Sequence, residues 1–132
     1  TILMIGDKVV ARGRESSHPY CLDLGQAWRD QTGFPFVFAT WVGSENLDPH
    51  LVNRARMLLD RQRRYNAQRI EQVVSKHSTD RGWNPEAAFQ YLTSHMQYEF
   101  TKQHSESLEL FFELAAAISL INRVRPVRYY SD

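Results

Sequence analysis

Two short stretches of the chain are apolar at nearly every position rather than at alternate positions. Ile2 to Ile5 is followed by Gly6-Asp7, and residues 36–42 are Phe-Val-Phe-Ala-Thr-Trp-Val. Continuous apolarity is typical of strands that are covered on both faces, as in a parallel sheet. The second stretch is also rich in aromatic and β-branched residues, which favour strands. The pattern therefore predicts two buried strands with helices covering them.

Between and after these stretches the spacing is helical. Asp23-Leu24-Gly25-Gln26 is a capping-box pattern, an apolar stripe follows, and Gly33 stands where a helix C-terminal glycine belongs. From residue 46 onward, apolar residues recur every three or four positions. This spacing predicts helices over about 48–64, 66–79, 84–95 and 105–121, with Asn84 as an N-cap. The last of them is apolar around most of its circumference after residue 111, so we expect it to be deeply buried.

The balance of elements, two strands against four or five helices, is unusual. Two strands do not make a stable sheet by themselves in water. The sequence also starts at Thr1, directly before the first apolar stretch. We therefore expect the chain to be a piece of a longer protein, or a subunit that needs a partner.

Composition narrows the function classes. The 132 residues amount to one domain's worth of chain, and 16 Lys+Arg against 15 Asp+Glu leave a net charge of +1. A net charge this close to zero gives no strong overall electrostatic attraction to nucleic acid or to anionic lipid. The single cysteine, Cys21, excludes an internal disulfide framework and a multi-cysteine zinc site. With no apolar run near ~20 residues and an apolar start too short for a secretory signal, we expect a cytoplasmic protein.

Most residues that could bind a metal, act as a nucleophile or contact nucleic acid have a simpler structural explanation. No two of the five histidines share a helical face, so metal ligation would need separate elements to converge. Cys21 precedes a helix N-terminus, but an inert thiol is the favoured interpretation. The basic run Arg61–Arg64 lacks interleaved aromatic residues, which favours a solvated helix face over a nucleic-acid surface. Among the tryptophans, Trp41 at the end of a predicted strand is the best candidate to flank a pocket.

Gly6-Asp7 is the more informative short motif. Ligands of open α/β sheets lie beyond the carboxyl ends of strands, where a glycine lets the backbone approach a ligand and a carboxylate can orient it. A plain turn fits the same dipeptide. Both interpretations stay open.

A longer block resembles a known family. Asp23-Leu24-Gly25 is followed by Trp28 and then by Thr-Gly-Phe-Pro-Phe-Val-Phe-Ala-Thr-Trp over 32–41, and Ile5-Gly6-Asp7 lies about sixteen residues before it. This arrangement resembles the chorismate dehydratases of the futalosine pathway of menaquinone biosynthesis. The sister enzyme of that pathway continues with Leu-Pro-Leu-Gly where this chain has Phe-Val-Phe-Ala over 36–39, so the chain takes the dehydratase branch at that point. Tyr91-Leu92-Thr93, Tyr98 and the stretch from Leu108 to Phe112 also fit, and the resemblance covers roughly residues 1–121. Departures are mild: Val9-Val10, Phe34 for Leu, and Ser107 where a glycine commonly precedes Leu108.

The resemblance implies a fold and a reaction. The fold is α/β, periplasmic-binding-protein-like, with two lobes and the ligand in the cleft, and this chain is its mostly helical C-terminal portion. Residues 1–34 would end the second lobe, and 35–132 would supply the crossover strand and the helices that return to the first lobe. The reaction is the dehydration of chorismate to 3-[(1-carboxyvinyl)oxy]benzoate, with no metal and no organic cofactor.

The resemblance also limits what can be assigned. The family's N-terminal half, which carries much of the substrate pocket, is not in this sequence, so no catalytic residue is assigned, and a missing lobe or partner chain is expected to complete the site. The substrate-binding candidates are Gly6, Asp7, Phe36, Phe38 and Trp41. Two alternatives stay open: a non-catalytic solute-binding module of the same fold, and a small helical interaction protein that uses the Arg61–Arg64 face.

Overall fold

The computed structural model describes residues 2–6, 18–124 and 126–130, and the regular secondary structure in these residues is helical. The five α-helices are α1 (Leu24–Thr32), α2 (Pro49–Ala67), α3 (Ile70–His77), α4 (Pro85–Gln90) and α5 (Lys102–Ala117). A 3₁₀ turn over Thr79–Arg81 precedes α4, and a π-helical turn over Tyr91–His95 follows it.

The ends of α1 are those that the sequence predicts. The Asp23 side chain accepts a hydrogen bond from the backbone N–H of Gln26 at 3.0 Å, which satisfies an unpaired donor of the first turn. At the other end Gly33 adopts the left-handed conformation, with φ +76°, and its N–H bonds to the Arg29 carbonyl. The Thr32 hydroxyl then donates to the Trp28 carbonyl and accepts from the Phe34 N–H. These bonds fix the direction in which the chain leaves the helix.

The middle helices follow the predicted order with shifted boundaries. The predicted break near residue 65 lies between Ala67 and Ile70 instead. Asn84 caps α4 as predicted, and its side chain accepts from the N–H groups of Glu86 and Ala87. The predicted helix over 84–95 changes character at Tyr91, where the Met96 N–H reaches the Tyr91 carbonyl at 3.1 Å and closes a π-type turn.

The last helix differs from its prediction in start and in burial. Helix α5 begins at Lys102 because Thr101 and His104 form a reciprocal cap, in which the imidazole takes the place of the usual Glu or Gln. The expectation of deep burial is wrong, since Phe111 is 40% and Leu114 is 46% exposed. Only His104, Ser107 and Ala115 of this helix are buried.

Neither predicted strand is present in the described residues. Ile2 and Leu3 are exposed, and Trp41 and Val42 are 82% and 89% exposed. No backbone hydrogen bond pairs 36–42 with another described segment. Apolarity indicates that a segment favours cover, but a strand also needs the N–H and C=O groups of a neighbouring strand. The described part of the chain supplies no such neighbour, so the α/β fold class is not observed here and the two-lobe fold stays a prediction.

The chain divides into two compact units, and the boundary falls within α2. Unit one contains the described residues up to Cys21 together with Ala55–Tyr98. Its helices α3 and α4 pack on each other around Val74 and Ala88. Unit two contains Leu22–Arg54 and the residues from Glu99 onward, including α1 and α5. The predicted lobe boundary at 34/35 concerns the larger two-lobe fold and stays a prediction.

Candidate functional site

The hydroxyl of Ser107 is the centre of unit two. Ser107 lies on α5 and is 1% exposed. Its Oγ accepts a hydrogen bond from the indole Nε1 of Trp28 at 2.9 Å and donates to the carbonyl of Pro35 at 2.6 Å. One side chain thus joins α1, the segment after it and α5, across sequence separations of 79 and 72 residues. We call this arrangement the Ser107 relay.

Aromatic rings surround the relay. Trp28, Phe36 and Phe111 meet one another edge to face, with ring centroids 5.8 to 5.9 Å apart. Phe38 extends the cluster and lies 4.8 Å from Phe36, centroid to centroid. Such edge-to-face pairs contribute about 0.5–1.5 kcal/mol each beyond the burial of their area. The rings of 36 and 38 are therefore oriented by contacts, even though Phe38 is 67% exposed.

The glycine of the Asp-Leu-Gly motif has a structural reason within this cluster. A Cβ built on Gly25 would lie 2.8 Å from Cζ of Phe38, closer than side-chain carbons normally approach. The Phe38 ring thus rests against the backbone of the first turn of α1. The two parts of the Asp23–Trp41 block that carry the family resemblance are in direct contact.

Beside the cluster is a small apolar cavity of about 250 Å³. Its walls are Phe36, Val37, Phe38, Ser107, Leu108, Phe111 and Phe112. The volume is close to the lower end of ligand pockets, which run from roughly 300 Å³ upward. No charged group is among these walls, and the one hydroxyl is already engaged in the relay. The cavity can hold the apolar face of a ring, but the described residues around it supply neither a base nor a counter-charge.

The structure brings together two of the five predicted site residues, Phe36 and Phe38. Trp41 is exposed and makes no ring contact within the described residues. Gly6 belongs to unit one, where it forms an exposed turn with φ +72°. Asp7 lies outside the described residues. Roles in substrate binding for all five remain predictions.

Sequence reasoning missed the importance of Ser107. A polar residue four positions before Phe111, on the apolar side of a helix, was the available signal. In the sequence, Ser107 stands out only because the family commonly has a glycine at this position. Its two partners could not be found from sequence, because nothing local indicates contacts more than 70 residues away.

The remaining candidate groups lie elsewhere. Hydrogen bonds from Arg63, and then from Arg64, hold the pKa of the Asp60 carboxyl below its ordinary value, so part of the basic run is paired within its own helix. In unit one, burial raises the pKa of the Tyr98 phenol, and the neighbouring Tyr91 adds to the effect.

Two further findings concern metals and membranes. Within the described ranges, no three His, Cys, Asp or Glu side chains converge as metal ligands would. The same part of the chain contains no helix with the length and apolarity that a membrane span requires.

Comparison with known proteins adds the family. Neither the curated proteins nor the solved structures gave a significant match. The sequence model of the menaquinone biosynthesis family matches residues 1–117. Because this match includes both halves of the aromatic cluster and the Ser107 relay, and covers most of the 132 residues, the chain belongs to the menaquinone biosynthesis family.

Proposed function

We propose that the chain is part of a chorismate dehydratase, a carbon–oxygen lyase that converts chorismate to 3-[(1-carboxyvinyl)oxy]benzoate. The observation that carries the proposal is the Asp23–Trp41 block. It resembles the dehydratase branch of the family, and its Gly25 and Phe38 meet beside a cavity fit for a ring. Family membership supports the pathway, and the block supports the particular reaction.

The reaction needs a base and orientation rather than a redox partner. A base removes the proton from the ring carbon that bears the enolpyruvyl ether, and the neighbouring hydroxyl leaves as hydroxide, which takes up a proton to become water. The ring gains its third double bond and becomes aromatic. The substrate neither gains nor loses electrons, so no redox partner is needed. The protein must instead bind the two carboxylates of the substrate, position one base and exclude water.

In this proposal the chain supplies the apolar part of the site. Phe36 and Phe38 would contact a face of the cyclohexadiene ring, and Trp41 would flank it. Gly6 and Asp7 would lie at the edge of the cleft. The base and the carboxylate-binding groups would come from a further segment, either in a longer chain or in a partner. The exposure of Trp41 and Val42 supports such a partner, since large apolar side chains gain by being covered.

A non-catalytic solute-binding module is the second candidate. One observation favours it: among the described residues, the walls of the 250 Å³ cavity hold no unengaged polar side chain. In either case a cytoplasmic location, which we expect from the single cysteine, is part of the proposal.

The test is co-production of this chain with an N-terminal half of the family, followed by measurement of chorismate loss and of the aromatic product. Phe38→Ala is expected to lower kcat/KM by about tenfold, the order of effect of losing one ring contact with the substrate. Phe89→Ala in unit one is the matched control and should change kcat/KM little. A folded complex without turnover would contradict the proposal, and chorismate binding without turnover would favour the binding module.

A further inference from the structure

A second, larger cleft lies in unit two, between the loop around Gly43–Glu45 and the described residues of the segment that follows α5, 123–124 and 126–130. It has a volume of about 660 Å³, well within the range of small-molecule sites. One wall of the cleft, Gly43–Glu45, lies within the residues that match the family model, and the other wall lies beyond them. The following inference does not rest on the proposed function.

Side-chain contacts hold the two walls of this cleft together. Arg128 forms an ion pair with Glu45, and the Tyr130 hydroxyl donates a hydrogen bond to the carbonyl of Ser44. Gly43 permits this approach, because a Cβ there would lie 3.4 Å from the Tyr130 ring and 2.9 Å from the side chain of Leu47. This segment is thus held against the loop at two residues, Arg128 and Tyr130.

Tyr129 is held from the other side. Its ring lies 5.9 Å from that of Phe100, centroid to centroid, and its hydroxyl is 3.5 Å from the carboxylate of Glu109. Tyr129 and Tyr130 nevertheless keep 45% and 44% of their surface exposed. Two anchored rings therefore offer accessible area to a ligand.

The two arginines among the described lining residues differ in whether a carboxylate pairs with them. Glu45 neutralises Arg128, whereas Arg123 is exposed and has no carboxylate partner within the described residues. A guanidinium binds a carboxylate through two parallel N–H···O hydrogen bonds. Val124 and Pro126 add apolar wall between Arg123 and the two tyrosines. Among the described residues, the lining combines the Arg123 cation with a surface that is about half apolar, to which the two tyrosines, Val124 and Pro126 contribute.

We propose that this cleft binds a small aromatic carboxylate, with Arg123 holding the carboxylate and Tyr129 and Tyr130 contacting the ring. A phosphate or a short aliphatic acid would satisfy the cation but would leave the apolar surface uncovered. The ring is therefore expected to add to affinity, and this expectation separates an aromatic carboxylate from a simple anion.

Benzoate is the probe, titrated into the isotope-labelled protein while backbone resonances are followed by NMR. We expect saturable shifts at Tyr129 and Tyr130, and weaker shifts with acetate or inorganic phosphate at the same concentration. Arg123→Gln should weaken benzoate binding by about tenfold or more, which is the usual effect of losing a charge-assisted pair of hydrogen bonds. Arg54→Gln removes an exposed arginine of α2 and is the matched control.

Two results would overturn the proposal. One is the absence of saturable shifts around residues 123–130, and the other is equal weakening by the two substitutions. Binding of phosphate as tight as that of benzoate would overturn the role of the rings. The helical circular dichroism of each variant confirms that the fold is retained, so a loss of binding can be assigned to the cleft.

Discussion

Each unit contains a tryptophan near a buried serine. The two side chains are hydrogen-bonded to each other in unit two, whereas in unit one neither side chain has a hydrogen-bond partner among the described residues. In unit two the indole of Trp28 donates to Ser107, whose own hydroxyl donates to Pro35. In unit one the backbone N–H of Trp83 bonds to the Ser78 carbonyl. The Trp83 indole N–H and the Ser78 hydroxyl are both buried, and neither has a hydrogen-bond partner in the described residues.

The difference shows how each unit is held together. Unit two depends on a single buried hydroxyl that joins segments more than 70 residues apart. Unit one is formed by elements that follow one another along the chain, from α3 through the 3₁₀ turn to α4 and the π turn. A buried polar group that is satisfied stabilises a particular arrangement, whereas an unsatisfied one costs free energy wherever it lies.

The largest expected effect is at the Ser107 relay. Ser107→Ala leaves the Trp28 N–H and the Pro35 carbonyl without their partner, and each such loss costs about 1–3 kcal/mol. We expect the free energy of unfolding, measured in urea, to fall by about 3 kcal/mol. Ser105→Ala on the same helix is the control, expected to change stability by less than about 0.5 kcal/mol. Equal effects of the two substitutions would show that the relay does not hold unit two together.

The N-cap of α4 tests the local character of unit one. Asn84→Ala removes the acceptor for the N–H groups of Glu86 and Ala87. We expect a loss of about 1 kcal/mol in the free energy of unfolding, the usual value of an N-cap. Asn53→Ala, at an exposed position within α2, is the comparison and should be neutral or slightly stabilising because alanine favours helix. A loss as large as that of Ser107→Ala would show that the two units do not differ in how strongly they depend on a single polar side chain.

Ser78→Ala is expected to have a smaller effect. The substitution removes a buried hydroxyl that has no partner in the described residues, so little favourable interaction is lost. We expect a change within about 0.5 kcal/mol of zero, in either direction. A loss comparable to that of Ser107→Ala would reveal a bound water or another partner at this hydroxyl and would make the two serines equivalent.

The smallest effect concerns pH and the ion pairs of α2. The pKa of Asp60 is lowered by hydrogen bonds from Arg63 and then from Arg64, so its folded value lies below the unfolded one. The stability contributed by this carboxylate is therefore present above the unfolded pKa and is lost as the pH falls through the folded pKa. NMR titration of the Asp60 carboxyl should show a higher pKa in Arg64→Gln and little change in Arg61→Gln. An unchanged pKa in Arg64→Gln would mean that the pair does not persist in solution.

Local structure was predictable where the cause is local. Asp23, Gly33 and Asn84 each act within a few residues of their position, and each has its predicted role. The start of α5 was missed because His104, rather than Glu or Gln, completes its cap. The two predicted strands are not present in the described residues for a different reason, since pairing depends on a second segment and not on the apolarity of the first.

The sequence by itself determined the order of the helices, the caps of α1 and α4 and the family, because caps and periodicity act over a few residues and a motif keeps its spacing along the chain. It also singled out Phe36 and Phe38. Only the tertiary structure decided that Gly25 receives the Phe38 ring and that Ser107 joins Trp28 to Pro35. Those contacts depend on which distant surfaces fit together, and that fit is a property of the packed chain rather than of any local stretch.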